Sequence, residues 1–117
     1  MKASAVREKS FGFALRIVKL YRFLTDVQHE FVLSKQLLRS GTAIGAMVRE
    51  AEQAESRADF IHKLAIALKE ANESAYWLEL LNQSGYIDEN GYESIYPESV
   101  ELLKLLTAII KSSKDNA

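Results

Sequence analysis

Apolar residues recur along this chain at intervals of three and four, the spacing that lays one stripe along an α-helix. From Phe11 to about Gln28 the stripe is Phe11, Ala14, Leu15, Val18, Tyr21 and Leu24 or Thr25, with Ser10 placed to cap its start. A second stretch runs from Phe31 to Ala54 through Leu33, Leu37, Ile44, Met47, Val48 and Ala51, while Lys35, Arg39, Arg49 and Glu52 fall mostly off that stripe. The third opens at Ser56, whose hydroxyl can cap free amides, with Asp59 in the capping-box position usually filled by Glu or Gln. Phe60, Ile61, Leu64, Leu68, Ala71, Ala75, Leu78 and Leu81 carry its apolar face to a stop at Ser84-Gly85. The fourth begins near Asp88 or Asn90 and holds Tyr92, Ile95, Tyr96, Val100, Leu103, Leu106 and Ile110. Pro97 is expected to kink it or divide it, because proline removes an amide and crowds the preceding turn.

No segment alternates with period two over the length of a strand, so the pattern predicts an all-α chain with helices at 10–28, 31–54, 56–84 and 89–114. Short connections favour antiparallel neighbours, which gives an up-down-up-down four-helix bundle. At 117 residues, with one proline and no Pro/Gly/Ser-rich linker, the chain reads as a single domain over 1–117. The first residues lack the apolar core of a signal peptide and no window reaches the roughly 18 apolar residues of a membrane span, so a cytoplasmic protein is expected. Zero cysteines removes disulfides, thiolate metal sites and cysteine nucleophiles.

The net charge of −1 conceals a split. Residues 1–70 carry 12 Lys and Arg against 8 Asp and Glu, whereas residues 71–117 carry 3 against 8. Pairing of the two halves within one bundle is the ordinary reading, and head-to-tail self-association is the sharper one.

Several segments together carry a family resemblance: Gln36-Leu37-Leu38-Arg39-Ser40-Gly41-Thr42-Ala43-Ile44, Arg49-Glu50-Ala51, Ser56-Arg57-Ala58-Asp59-Phe60 and Ala67-Leu68-Lys69-Glu70-Ala71-Asn72-Glu73. Tyr76-Trp77-Leu78-Glu79-Leu80-Leu81 and Ser84-Gly85-Tyr86-Ile87 extend it over nearly the whole chain. The chain thus resembles the ribosomal S23-like four-helix-bundle proteins encoded in intervening sequences of bacterial 23S ribosomal RNA genes. The resemblance implies an antiparallel bundle and, for several members, a ring-like homopentamer, but no enzyme and no cofactor. It also implies Gln36, Arg39, Ser40, Ile44, Glu50, Asp59, Phe60 and Glu70 as motif positions. The accessory variability determinant of diversity-generating retroelements is similar, and it partners RNA and a reverse transcriptase.

Two departures matter. Where the family pattern commonly reads Ser-Ile-x-x-Asn-Ile-x-Glu, this chain has Ala43-Ile44-Gly45-Ala46-Met47-Val48-Arg49-Glu50, so no polar network can run through positions 43 and 47. A pI near 6.1 also contrasts with strongly basic accessory proteins, and non-specific phosphate binding needs a concentrated positive field.

Helix one carries Lys9, Arg16, Lys19 and Arg22, a basic stripe that reads either as a nucleic-acid contact or as an ordinary solvated face. Asp26-Val27-Gln28-His29 and Asp59-Phe60-Ile61-His62 look faintly like di-iron ligand pairs, but His29 and His62 belong at opposite poles, roughly 25 to 40 Å apart by helical rise, and no metal centre is expected. Glu70 and Glu73 have no nearby histidine or serine and are read as bundle ion pairs, Glu70 with Arg39 or Arg49, rather than as an acid–base pair. Gly41, Thr42, Ala43, Gly45 and Ala46 form a small-residue patch that marks a tight crossing, inside the bundle or between subunits. The band at Tyr76, Trp77, Leu80 and Tyr86, with Tyr92 and Tyr96 near in sequence, is the leading candidate for a subunit surface. The expected function is a non-enzymatic homo-oligomeric scaffold or adaptor, with a nucleic-acid or reverse-transcriptase accessory as the alternative and no membrane partner.

Overall fold

A computed structural model describes residues 2–116 as four helices, α1 (Lys2–Asp26), α2 (Leu33–Glu52), α3 (Arg57–Gln83) and α4 (Glu89–Asp115), with no strand among the described residues. Consecutive helices pack on one another and α4 returns to α1, while the diagonal pairs, α1 with α3 and α2 with α4, make no close backbone approach. Cross-helix contacts give the directions. Arg7 pairs with Glu52 while Gly41 lies against Ile17, so α1 and α2 run oppositely. Ser40 bonds Ser74 while Glu50 pairs with Lys63, which reverses α3 against α2. Asn82 bonds the Ile87 carbonyl and Arg57 reaches Ser113, so α4 is antiparallel to α3. The result is the predicted up-down-up-down bundle, 47 Å long.

The core is filled by Phe13, Ile17, Leu24, Leu37, Ile44, Leu64, Leu78, Leu81, Leu102 and Leu106, all essentially inaccessible. On α1 this corrects the expected face. Val6, Ser10, Phe13, Ile17 and Leu24 are buried, while Phe11 and Leu15 remain 50% and 54% exposed. α1 carries two apolar stripes with the same spacing, so periodicity could not choose between them. Its start is corrected as well. The helix begins eight residues before Ser10, which lies buried and donates to the Arg7 carbonyl at 3.1 Å instead of capping. Val6 plugs into the core and Arg7 pairs with Glu52 at 3.4 Å, so this good helix-forming segment gains tertiary anchors.

The other helix ends follow local chemistry. Ser56 accepts from the Asp59 amide at 3.0 Å, and the Asp59 carboxylate reaches the Glu55 amide at 3.4 Å. α3 ends in a Schellman turn: Tyr86 N donates to Leu81 O at 2.9 Å, Gly85 N to Asn82 O at 3.1 Å, and Gly85 takes a φ of +89°. Asp88 caps α4 by accepting from Gly91 N at 2.7 Å. α4 then passes through Pro97 without dividing. The proline ring is exposed, and buried Ile95 and Ser99 anchor the helix on either side of it.

Candidate interaction surfaces

Among the described residues seven large apolar side chains are exposed: Phe11, Leu15, Phe23, Val27, Phe31, Val32 and Tyr76, between 42% and 71% accessible. All but Tyr76 lie on α1 or on the turn from α1 to α2. That turn is built by a residue the sequence pattern did not single out. α2 starts after Val32, whose side chain cannot cap. The Glu30 carboxylate does so instead, accepting from the amides of Val32 at 3.1 Å, Leu33 at 3.0 Å and Ser34 at 2.6 Å, while Ser34 Oγ donates back to the Glu30 carbonyl at 2.7 Å. Burial pushes the Glu30 carboxyl up, but the amides of Leu33, Ser34 and Val32 and the Ser34 hydroxyl outweigh it and hold it below the usual carboxylate range. His29 next to it has a φ of +54°, a left-handed conformation that turns the chain. Held in this way, Phe31 and Val32 are left facing solvent.

The four candidate positions of the basic stripe on α1 divide into two kinds. Lys9 pairs with Glu101 at 3.1 Å, and Arg16 forks onto α4, pairing with Glu98 and donating to the Ser94 carbonyl and hydroxyl at 3.1 and 2.8 Å. These two therefore close the α1–α4 seam and do not form a free stripe. Lys19 and Arg22 are exposed, and among the described residues neither has an ion-pair partner.

The motif positions on α2 and α3 meet one another. Arg39 pairs with Glu73 and lies 3.6 Å from Glu70, its Nε reaches Gln36 Oε1 at 3.5 Å, and Trp77 Nε1 donates to Glu73 at 3.0 Å. Glu70 and Glu73 are thus held by an arginine and an indole, an arrangement that orders a helix interface. Glu70 Oε1 is buried and accepts no hydrogen bond among the described residues. Ser40 Oγ and Ser74 Oγ, both buried, are 3.0 Å apart. A hydroxyl link therefore crosses from α2 to α3 at position 40, one turn away from apolar Ala43. Ile44 is in the core, Phe60 packs at its edge, and Glu50 accepts from Lys63 at 3.1 Å.

Of the small-residue patch, Gly41 and Gly45 face an internal crossing, whereas Ala46 is exposed. A Cβ on Gly41 would come within 2.8 Å of Ile17 Cγ1, so α2 touches α1 there by virtue of having no side chain. Gly45 is looser: a Cβ there would lie 3.5 Å from Ser10 O. The aromatic band also divides. Tyr86, Tyr92 and Tyr96 pack on the core, Tyr92 and Tyr96 with ring centroids 4.8 Å apart. Tyr76 stands outside, edge-on to Trp77 at 5.0 Å, and with Glu79, Leu80 and Gln83 lines a shallow hollow of about 150 Å³. Burial raises the Tyr92 phenol, and Tyr96, Glu79 and Glu89 add to it, a sign of how acidic this side of the bundle is.

His29 lies in the α1–α2 turn and His62 in the second turn of α3, at opposite poles. Among the described residues no three His, Cys, Asp or Glu side chains converge as a metal site, and no helix is long and apolar enough to cross a membrane.

A family profile described as 23S rRNA-intervening sequence protein matches residues 2–108. The chain is 64% identical to a crystallised protein of unknown function from the S23 ribosomal protein family of Bacteroides thetaiotaomicron, over 95% of this chain and 99% of that one, with a TM-score of 0.93. No curated protein matches it.

Proposed function

Because the chain belongs to the 23S rRNA-intervening sequence protein family, we propose that it works as a non-enzymatic homo-oligomeric scaffold, its surfaces rather than a reaction centre carrying its role. The observation that carries this reading is the apolar exposure on α1 and its turn into α2. Phe11, Leu15, Phe31 and Val32 are each half or more exposed on a chain of 117 residues. Apolar exposure on this scale marks an interface with another macromolecule. A closed homo-oligomer covers them, and five chains is the number the family resemblance implies.

Exposed Lys19 and Arg22, with Lys35 on the adjoining helix, favour a second reading in which the assembled protein also meets nucleic acid. Light-scattering mass after size exclusion, in low and moderate salt and with a short single-stranded RNA added, tests both. A multimeric mass that withstands salt and ignores RNA is expected. A monomer at every salt overturns the scaffold, and RNA uptake that is lost steeply with salt establishes the second reading.

A further inference from the structure

The two solvent-facing sides of the bundle differ in a complementary way. Along α1, Phe11, Leu15, Val18 and Arg22 follow one another by four, three and four residues and share a stripe. On α2, Lys35, Leu38, Thr42, Ala46 and Arg49 do the same. The Arg49 guanidinium sits 5.2 Å from the Phe11 ring centroid, so the stripes adjoin and form one apolar face. Toward the α1–α2 turn that face carries the cations Arg22 and Lys35, with exposed Asp26 one turn beyond Arg22. Across the bundle, α3 and α4 present Tyr76 and Leu80 beside Glu79, Glu89 and Glu93. Among the described residues none of Arg22, Lys35, Glu79, Glu89 and Glu93 has an ion-pair partner.

The α1–α2 and α3–α4 edges are opposite sides of the molecule, because diagonal helices make no close backbone approach. They are also matched in height. Gly41 abuts Ile17, so Lys35 is level with Phe23 and therefore with Arg22. Ser40 meets Ser74, so Lys35 is also level with Glu79. One height of the bundle thus carries unpaired cations with apolar residues on one side and unpaired anions with apolar residues on the other.

We propose that the α1–α2 face, centred on Val18, Arg22 and Lys35, docks on the α3–α4 face of a second copy, centred on Tyr76, Glu79 and Glu93. The proposal rests on the self-association reading and specifies its contact. Charge complementarity selects the occupant, since two copies of the α1–α2 face would oppose like charges and two α3–α4 faces would do the same. The hollow at Tyr76 and Leu80, of the volume that elsewhere holds a benzene ring, has room for one apolar side chain of the neighbour. Equal heights let the protomers pack parallel and in register. Such a contact uses a different patch on each partner, so it repeats head to tail and builds a ring where the rotation closes.

Charge reversal tests this in the whole chain. Arg22→Glu with Lys35→Glu, and separately Glu79→Lys with Glu93→Lys, are each expected to drop the low-salt mass to one chain of 13.2 kDa with the helical circular dichroism unchanged. The chain carrying all four changes is expected to recover the parent mass. Reversed pairs that keep the parent mass, or a fourfold variant that stays monomeric, overturn the contact while a multimeric parent leaves the scaffold standing. A monomeric parent overturns both. The absence of cysteine gives a second readout that needs no change of charge sign. Arg22→Cys with Glu79→Cys is expected to oxidise to a ladder of linked chains, because α1 and α3 make no close backbone approach within one chain, whereas either cysteine alone stays unlinked. A dimer from a single cysteine overturns the proposal in favour of a two-fold contact.

Discussion

Glu30 is 8% exposed, and its carboxylate holds three amides at the start of α2. Its folded pKa lies below the ordinary 4.5, so the stabilisation is complete above that value and is lost as pH falls through the lower, folded one. Glu30→Gln is expected to cost about 1 to 3 kcal/mol at neutral pH, from hydrogen bonds to a charged acceptor. In thermal melts the gap between parent and variant should narrow as pH falls below the ordinary 4.5 and through the lower, folded value; an equal gap at pH 3 and pH 7 contradicts the role. Two glycines in α2 make a second comparison. At Gly41 an added methyl meets Ile17, a stiff β-branched side chain with no exposure, so Gly41→Ala is expected to lose about 1 to 3 kcal/mol by overpacking. At Gly45 the same methyl meets only ordinary contacts, so Gly45→Ala is expected to gain up to about 1 kcal/mol of helix propensity. Chemical denaturation of the two variants should move in opposite directions.

α4 shows how tertiary anchoring overrides a local breaker. Pro97 lacks the amide that would bond one turn back, yet the helix runs from Glu89 to Asp115. Ile95 and Ser99 are buried on either side, and Ser99 Oγ donates to the Tyr96 carbonyl at 2.6 Å. Pro97→Ala is therefore expected to stabilise the chain, by about 1 to 3 kcal/mol from the propensity difference, with no change of fold; an unchanged or lower midpoint in urea contradicts it. α1 shows the converse. With apolar stripes on two faces, it satisfies the helical pattern whichever face turns inward, and its exposed face is what gives the bundle an outer surface to use.

For the whole molecule, closure depends on α4 finding α1, the pair most distant in sequence. Arg16 ties them with contacts to Glu98 and Ser94, whereas Lys9 and Glu101 form a simple exposed pair. Arg16→Ala is expected to cost about 1 kcal/mol and Lys9→Ala less than about 0.5 kcal/mol, since exposed pairs contribute little. Equal losses in denaturant melts would remove the distinction. The same pairing takes up Lys9 and Arg16, two of the four candidate positions on α1, so the charge that meets solvent is not the charge counted along the chain. It includes Lys19, Arg22 and Lys35 on one side and Glu79, Glu89 and Glu93 on the other.

Four amphipathic helices in antiparallel order were legible in the sequence, because the three-and-four spacing is a property of the chain itself. So were the Ser56 cap and the Gly85 stop, which depend on neighbours within a few residues. The buried face of α1 was not legible. Phe11 and Phe13 head stripes of equal spacing, and only the position of α2, brought against Ile17 by Gly41, decides which of them is core. Nor was the Glu30 cap, since a carboxylate two residues ahead of the N-cap reaches those amides only after the chain has turned at His29. The sequence also supplied the charges without their partners. Arg16 and Glu98 are 82 residues apart and meet only when the bundle closes, and that closure determines which charges and which apolar side chains remain for another molecule.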